Sequence, residues 1–182
     1  MKKWEVTDSE YIVNDRWLRL RADKCRNCHG NIIEPYYVME LTDWVSVVAL
    51  TDDNKVVMVR QYRHGYGDFC LELPAGRIEK EDLSPEETAR RELLEETGYS
   101  VENMTELSKM PFNTSNCTNS AYCYIGFGAE KVQEPEDDPY EETETVLADF
   151  DEVLSMIING KLQSIHSANF LLAREFLDGK IF

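Results

Sequence analysis

Three glutamates, Glu92, Glu95 and Glu96, stand at i, i+3 and i+4 within residues 73–99, the spacing that brings side chains together on one face of an α-helix. Like charges so placed repel. They can be offset by basic side chains, by solvent, or by a hard divalent cation, for which carboxylate oxygens are the matched ligands. Arg91 can reach Glu95 across i+4, which would hold one acid in a salt bridge while the others face a metal. A solvated face is the commoner explanation of an acidic triple; here the glycine loop entering the helix favours a site.

The elements that must hold these acids are written in the same stretch. Ser84, Pro85 and Glu87 predict a helix start, with serine as N-cap, proline at the first helical position and an N3 glutamate able to complete a capping box. Gly98 stands where a left-handed residue closes a helix at little cost. The expected helix is Pro85–Thr97, with Ala89, Leu93 and Thr97, and Leu94 beside them, as a modest buried stripe. Ahead of it, short apolar runs lead to a tight turn expected at Gly76.

In register, this stretch resembles the Nudix hydrolase box, G-x5-E-x7-R-E-U-x-E-E-x-G-U, where U is aliphatic or bulky and apolar. Gly76 supplies the leading glycine, and Arg91, Glu92, Leu93, Glu95, Glu96, Gly98 and Tyr99 match the closing element. Asp82 stands where the pattern has its first glutamate, and eight residues rather than seven separate it from Arg91. The extra residue precedes the Ser84 cap, so it lengthens the loop without rotating the helix. Upstream, Gln61-Tyr62-Arg63, then Gly65-x-Gly67, then Glu72-Leu73-Pro74-Ala75-Gly76 are similar to the ADP-ribose and nucleoside diphosphate sugar pyrophosphatase branch of that superfamily. The similarity extends over residues 44–172.

The resemblance implies an α/β (α+β) fold: a Nudix-type α/β/α sandwich with a mixed sheet, plus a small N-terminal antiparallel sheet. It divides the chain into residues 1–42, a dimerisation subdomain, and 43–182, the hydrolase domain. It also implies Mg2+ or Mn2+ held by Glu92, Glu95, Glu96 and the backbone carbonyl of Ala75. Glu95 and Glu96 then stand at the chemistry, with Glu141 or Glu142 helping to activate water. Gln61, Arg63 and Glu72 fall at substrate-binding or interface positions, and Arg77, after the box glycine, is a further substrate-binding candidate. Members are homodimers whose N-terminal aromatic residues help bind the base; Trp17, Tyr36 and Tyr37 are the candidates, with core or dimer packing the alternative for each.

Composition bounds the partners. The 182 residues carry 19 Lys and Arg against 35 Asp and Glu, a net charge of -16. That balance disfavours a nucleic-acid polymer or an anionic membrane as a partner. It admits a small phosphorylated substrate, because bound cations and a few arginines reverse the field inside one cleft. No apolar run approaches a membrane span, residues 1–10 carry no signal-peptide core, and five cysteines fit reduced thiols better than a disulfide framework. Cytoplasm is the expected location.

Residues 4–7, 17–22 and 32–40 predict short antiparallel strands. Cys25, Cys28 and His29 form C-x-x-C-H between two of them, where a hairpin turn with free thiols is expected; no following helix or secretion signal supports a redox or haem site. Residues 44–50 and 56–59 predict a buried strand pair. Beyond it, Arg60 and Arg63 offer guanidinium forks for phosphate or carboxylate, or salt bridges to the acidic surface, while His64 is expected in a loop. Residues 101–110 and 121–129 predict extended segments around a polar loop, 111–120, where the branch has an S-P-G-F-S type segment and this chain has Pro111 displaced. Cys117 and Cys123 are expected to be plain thiols. Residues 134–144 read as an acidic loop, 145–150 as a strand, and 151–159 and 167–177 as helices, with His166 ahead of the last.

Together these features imply a metal-dependent hydrolase that splits the diphosphate bridge of ADP-ribose or a related nucleoside diphosphate sugar into a nucleoside monophosphate and a sugar phosphate. One alternative is a nucleoside triphosphate pyrophosphohydrolase of the same superfamily. Another is a non-catalytic nucleotide-sugar-binding regulator, against which three retained and mutually repelling acids argue.

Overall fold

The computed structural model describes residues 2–136 and 142–181. The chain divides into two compact units, Met1–Asp43 with Pro111–Ser120, and Trp44–Met110 with Ala121–Phe182.

The first unit is a three-stranded antiparallel sheet in the order β1 (Glu5–Asn14), β2 (Arg19–Arg26), β3 (Ile32–Met39). β1 is far longer than the 4–7 expected from sequence. Nearly all of it is exposed, and a strand without a buried face leaves no alternating pattern to read. β2 likewise runs on to Arg26. Its sheet is held by charge: buried Asp23 accepts from the Ser9 hydroxyl at 2.6 Å and from Arg21 Nε at 3.0 Å, while Arg21 also pairs with Glu40. Cys25 is buried within β2, and Cys28 lies exposed in the following turn, whose backbone amides at His29 and Asn31 donate to the Asn27 side chain. Residues 112–119 belong to this unit, where the Met39 amide donates to the Asn116 carbonyl at 2.7 Å.

The second unit is built on a seven-stranded mixed sheet. Its strands are β4 (Trp44–Leu50), β5 (Lys55–Arg63), β6 (Asp68–Glu72), β7 (Ala75–Arg77), β9 (Asn103–Pro111), β10 (Ser120–Phe127) and β12 (Thr143–Asp149). The path runs β12-β5-β4-β10-β9, with β6 on β5 and β7 on β4; β4 and β10 are parallel. A separate pair joins β8 (Tyr99–Ser100) to β11 (Glu130–Lys131). Alternation along β4 sorts two cores. Val45, Val47 and Ala49 pack with Ala89 and Leu93 of α1 (Pro85–Thr97) on one face. Val48 and Leu50 pack with Val153 of α2 (Phe150–Ile158) and Phe170 and Ala173 of α3 (Ser164–Leu177) on the other. The result is an α/β/α sandwich around a mixed sheet.

Two local expectations need correction. β5 continues to Arg63, so the Gln61-Tyr62-Arg63 segment is strand. α3 starts at Ser164, which places His166 inside its first turn and fully buried. The start was illegible because Gln163, at the N-cap, makes no side-chain capping bond. Among the described residues no helix is long and apolar enough to cross a membrane.

Candidate active site

α1 forms where its local signals place it. Ser84 is extended and its Oγ accepts the Glu87 amide at 3.2 Å, with Pro85 next in line. The reciprocal bond is displaced by one residue: the Glu87 carboxylate takes the Leu83 amide at 2.6 Å. At the other end Gly98 is left-handed (φ 72°), and a Cβ there would strike the Gln133 carbonyl. The last turn is pinned by residues 132–136 and by β12. Val132 and Gln133 amides donate to the Gly98 carbonyl, the Glu136 amide to Glu95, and the Thr143 and Thr145 hydroxyls to Glu96 and Thr97 at 3.3 and 3.4 Å. These contacts satisfy carbonyls that a helix end otherwise leaves without partners.

Gly76 is not at a turn. It lies in β7 opposite Val45, and what it supplies is space, because a Cβ there would overlap the carboxylate of Glu92. Next to it, the Ala75 amide donates to Glu96 Oε2 at 2.9 Å, tying the strand to the helix. Glu92 and Glu95 lean on Arg91, with Nη1 at 3.0 and 2.9 Å. Asp82 takes the other edge of that guanidinium: Arg91 Nε and Nη2 donate to it at 3.1 and 3.0 Å, and the Thr88 hydroxyl and Glu79 amide add bonds at 2.9 Å each. The Arg91 bond is the main cause that holds the Asp82 carboxyl well below the usual carboxylate range, and Asp82 in turn raises Arg91. The displaced acid of the box is therefore an anchor for its arginine, a role that sequence spacing alone left open.

Among the described residues, no three acid, histidine or cysteine side chains are drawn into a ready-made cation cage. The donor set nevertheless fits a hard divalent cation. Three half-buried carboxylates share one helix face beside the Ala75 backbone, and Gly76 keeps open the space into which Glu92 reaches.

The remaining candidates separate by strand alternation. Gln61 and Arg63 share a face of β5, and Val59 of that face is in register with Glu72. Gln61 and Glu72 are buried, and Arg63 Nη2 reaches Glu72 at 2.6 Å. Arg60 is on the opposite face, paired with Glu144 at 3.1 Å and lying 4.8 Å over the Phe69 ring. Arg77 is exposed at the end of β7, and its carbonyl accepts from Arg91 at 3.2 Å. Glu142 is exposed just before β12; Glu141 lies outside the described residues. In the first unit, Trp17 is 64% exposed beneath the Arg16 guanidinium, Tyr37 is 52% exposed, and Tyr36 stacks edge-on with Trp4. Burial pushes the Cys123 thiol up to about 12, which keeps it protonated and not nucleophilic.

The acid-bearing helix α1 is thus entered from a glycine-containing strand on one face of an α/β/α sandwich. The chain belongs to the Nudix family: the NUDIX domain model matches residues 41–167, and the model of the nucleoside diphosphate sugar hydrolase N-terminal domain matches residues 4–39. A methanol dehydrogenase activator of Bacillus methanolicus is 31% identical over 93% of this chain and 89% of its own. An ADP-ribose pyrophosphatase of Bacillus subtilis is 35% identical over 75% of this chain and 66% of its own. That of Mycobacterium tuberculosis is 33% identical over 73% and 64%. The fold matches a crystal structure of an ADP compounds hydrolase with a TM-score of 0.87 at 21% identity, covering 99% of this chain and 97% of the other. Pyrophosphohydrolase activity follows from this membership, and Nudix hydrolases generally use divalent metal ions.

Proposed function

We propose that the chain hydrolyses the diphosphate bridge of ADP-ribose or a related nucleoside diphosphate sugar, giving a nucleoside monophosphate and a sugar phosphate. One observation carries the reading: three carboxylates on one face of α1, gripped by Arg91 and by the amide of Ala75, in a chain that also matches a nucleoside diphosphate sugar hydrolase N-terminal domain. Glu92, Glu95, Glu96 and the Ala75 carbonyl would hold Mg2+, or Mn2+ in its place. When bound, such cations neutralise the diphosphate and acidify a water. Gln61, Arg63, Glu72 and Arg77 bind substrate. Glu72 is buried against Arg63, so it fixes the direction of that guanidinium, and the pair is better placed for this than Arg60 across the strand. Glu142 or Glu141 serves as base, with Thr143 holding the loop end to α1. Residues 1–42 form a dimerisation subdomain, the protein works as a homodimer, and its free thiols suit the cytoplasm.

The relative named for activating methanol dehydrogenase favours a second reading, in which the chain acts on a partner enzyme. The test is incubation with Mg2+ and a panel of ADP-ribose, other nucleoside diphosphate sugars and nucleoside triphosphates, with products identified by mass spectrometry. Paired nucleoside monophosphate and sugar phosphate support the proposal. Pyrophosphate from a triphosphate, or no turnover of any substrate, overturns it. Glu96→Gln should abolish most turnover, by on the order of a hundredfold or more, with an unchanged melting temperature; full activity in that variant would remove Glu96 from the site.

A further inference from the structure

The core of the second unit contains a polar cluster that the reaction does not use. Ser46 is the only polar residue of β4, and it faces away from α1, toward α3. Asn169 Nδ2 donates to the Ser46 carbonyl at 2.8 Å and to its Oγ at 3.1 Å, and Ser46 Oγ lies 3.3 Å from His166 Nδ1. All three residues are fully buried. A carbonyl only accepts, so it fixes the Asn169 amide with nitrogen toward β4 and oxygen away. Ser46 Oγ thus accepts a hydrogen bond from Asn169 and makes a second with His166 Nδ1. Burial keeps that ring neutral, its pKa pushed down to about 4.

The arrangement has a cost. His166 Nε2 and Asn169 Oδ1 are buried with no hydrogen-bond partner, and each such atom costs about 1–3 kcal/mol. An apolar pair on α3 would avoid that cost, so the cluster's effect must be sought in what it holds. Ser46 is in register with Ala75 of β7, and the adjoining Val47 amide donates to the Pro74 carbonyl at 2.9 Å. The backbone gripped by Asn169 is thus the backbone against which Ala75 is laid, and Ala75 presents its amide to Glu96 at 2.9 Å.

We propose that Asn169 is a positioning residue for the Ala75–Glu96 contact, acting through Ser46. From the α3 side it sets the height of β4, and β4 sets β7. Asn169→Leu removes the donor to Ser46 together with the unpartnered oxygen, so little net stability is lost. Ser46→Ala removes the hydroxyl and keeps the carbonyl.

The experiment follows the Ala75 amide by 1H–15N NMR in the metal-free protein, Mn2+ affinity by EPR titration, and the melting temperature. In Asn169→Leu the Ala75 amide proton should move upfield as its bond to Glu96 weakens, and Mn2+ affinity should fall by about tenfold, with the melting temperature nearly constant. Ser46→Ala should shift the same resonance the same way by less. An unmoved Ala75 amide in folded Asn169→Leu overturns the proposal; where that variant does not fold, an unmoved amide in Ser46→Ala does so. The Mn2+ arm rests on the reading of Glu96 as a cation ligand, whereas the amide arm does not. A shifted amide with unchanged Mn2+ affinity therefore sustains the positioning role and counts against that ligand assignment.

Discussion

Replacing Gly76 with alanine separates the needs of the fold from those of the site. A Cβ at this position falls on the carboxyl carbon and both oxygens of Glu92, inside any real contact distance. To regain ordinary separation the carboxylate must retreat by more than about 1 Å. It is the far end of a half-buried side chain, so it can swing away without moving backbone. Gly76 itself has no positive φ and lies within a strand, where alanine is conformationally acceptable and removes about 0.4–1 kcal/mol of unfolded-state freedom. The folded chain should be as stable as wild type or slightly more so. Turnover responds in the opposite direction, because a misplacement of about 1 Å in a reacting constellation costs on the order of a hundredfold. Thermal unfolding and steady-state kinetics with Mg2+ and the hydrolysed nucleotide, run on both proteins, check the two halves. Wild-type kcat/KM in the Gly76→Ala variant refutes the claim that Gly76 exists to admit Glu92. A fall of several degrees in melting temperature refutes the claim that only the site is touched.

Two further outcomes concern stability. His166 stays neutral down to about pH 4 in the fold but has an ordinary value of 6.5. Its contribution is therefore complete above pH 6.5 and is lost as pH falls toward 4, by up to about 1.4 kcal/mol per pH unit. Urea unfolding of wild type and His166→Leu across that window should show wild type losing stability faster with acid; parallel curves would contradict the assignment. Asp82→Asn releases Arg91 from a carboxylate whose side chain is only 7% exposed, and should cost about 1–3 kcal/mol at neutral pH. Because the Asp82 pKa is depressed, its contribution is present above about 3.8 and lost below it. The variant's stability should accordingly depend less on pH in that acid range, and an unchanged acid limb in guanidinium unfolding would show that the Asp82–Arg91 pair contributes nothing.

α1 was legible to the residue because its signals are local: a serine cap, a proline at the first helical position and a glycine after the last turn act within one or two turns of chain. The role of Gly76 is hidden for the opposite reason. Glycine serves a tight turn and a close approach equally well, and the approaching group, Glu92, comes from a helix that sequence separation hides. The full length of β1 is illegible in sequence because its exposed faces carry no alternation. The Ser46, His166 and Asn169 cluster left no signal at all. A serine in WVSVVAL and a histidine and asparagine three residues apart acquire meaning only when α3 is laid across β4.

The box itself shows how a departure from pattern is absorbed. Aspartate is one methylene shorter than the glutamate it replaces, and the loop that carries Asp82 is one residue longer. These changes oppose each other, since a longer loop advances the backbone and a shorter side chain withdraws the carboxylate. The outcome is a carboxylate that meets Arg91 with both oxygens and also takes the Thr88 hydroxyl and the Glu79 amide. Leu83, between Asp82 and the Ser84 cap, is 90% exposed and contributes its amide to Glu87. The register of α1, and with it the direction of Glu92, Glu95 and Glu96, is set downstream by Ser84 and Gly98 and so is unaffected by what precedes the cap.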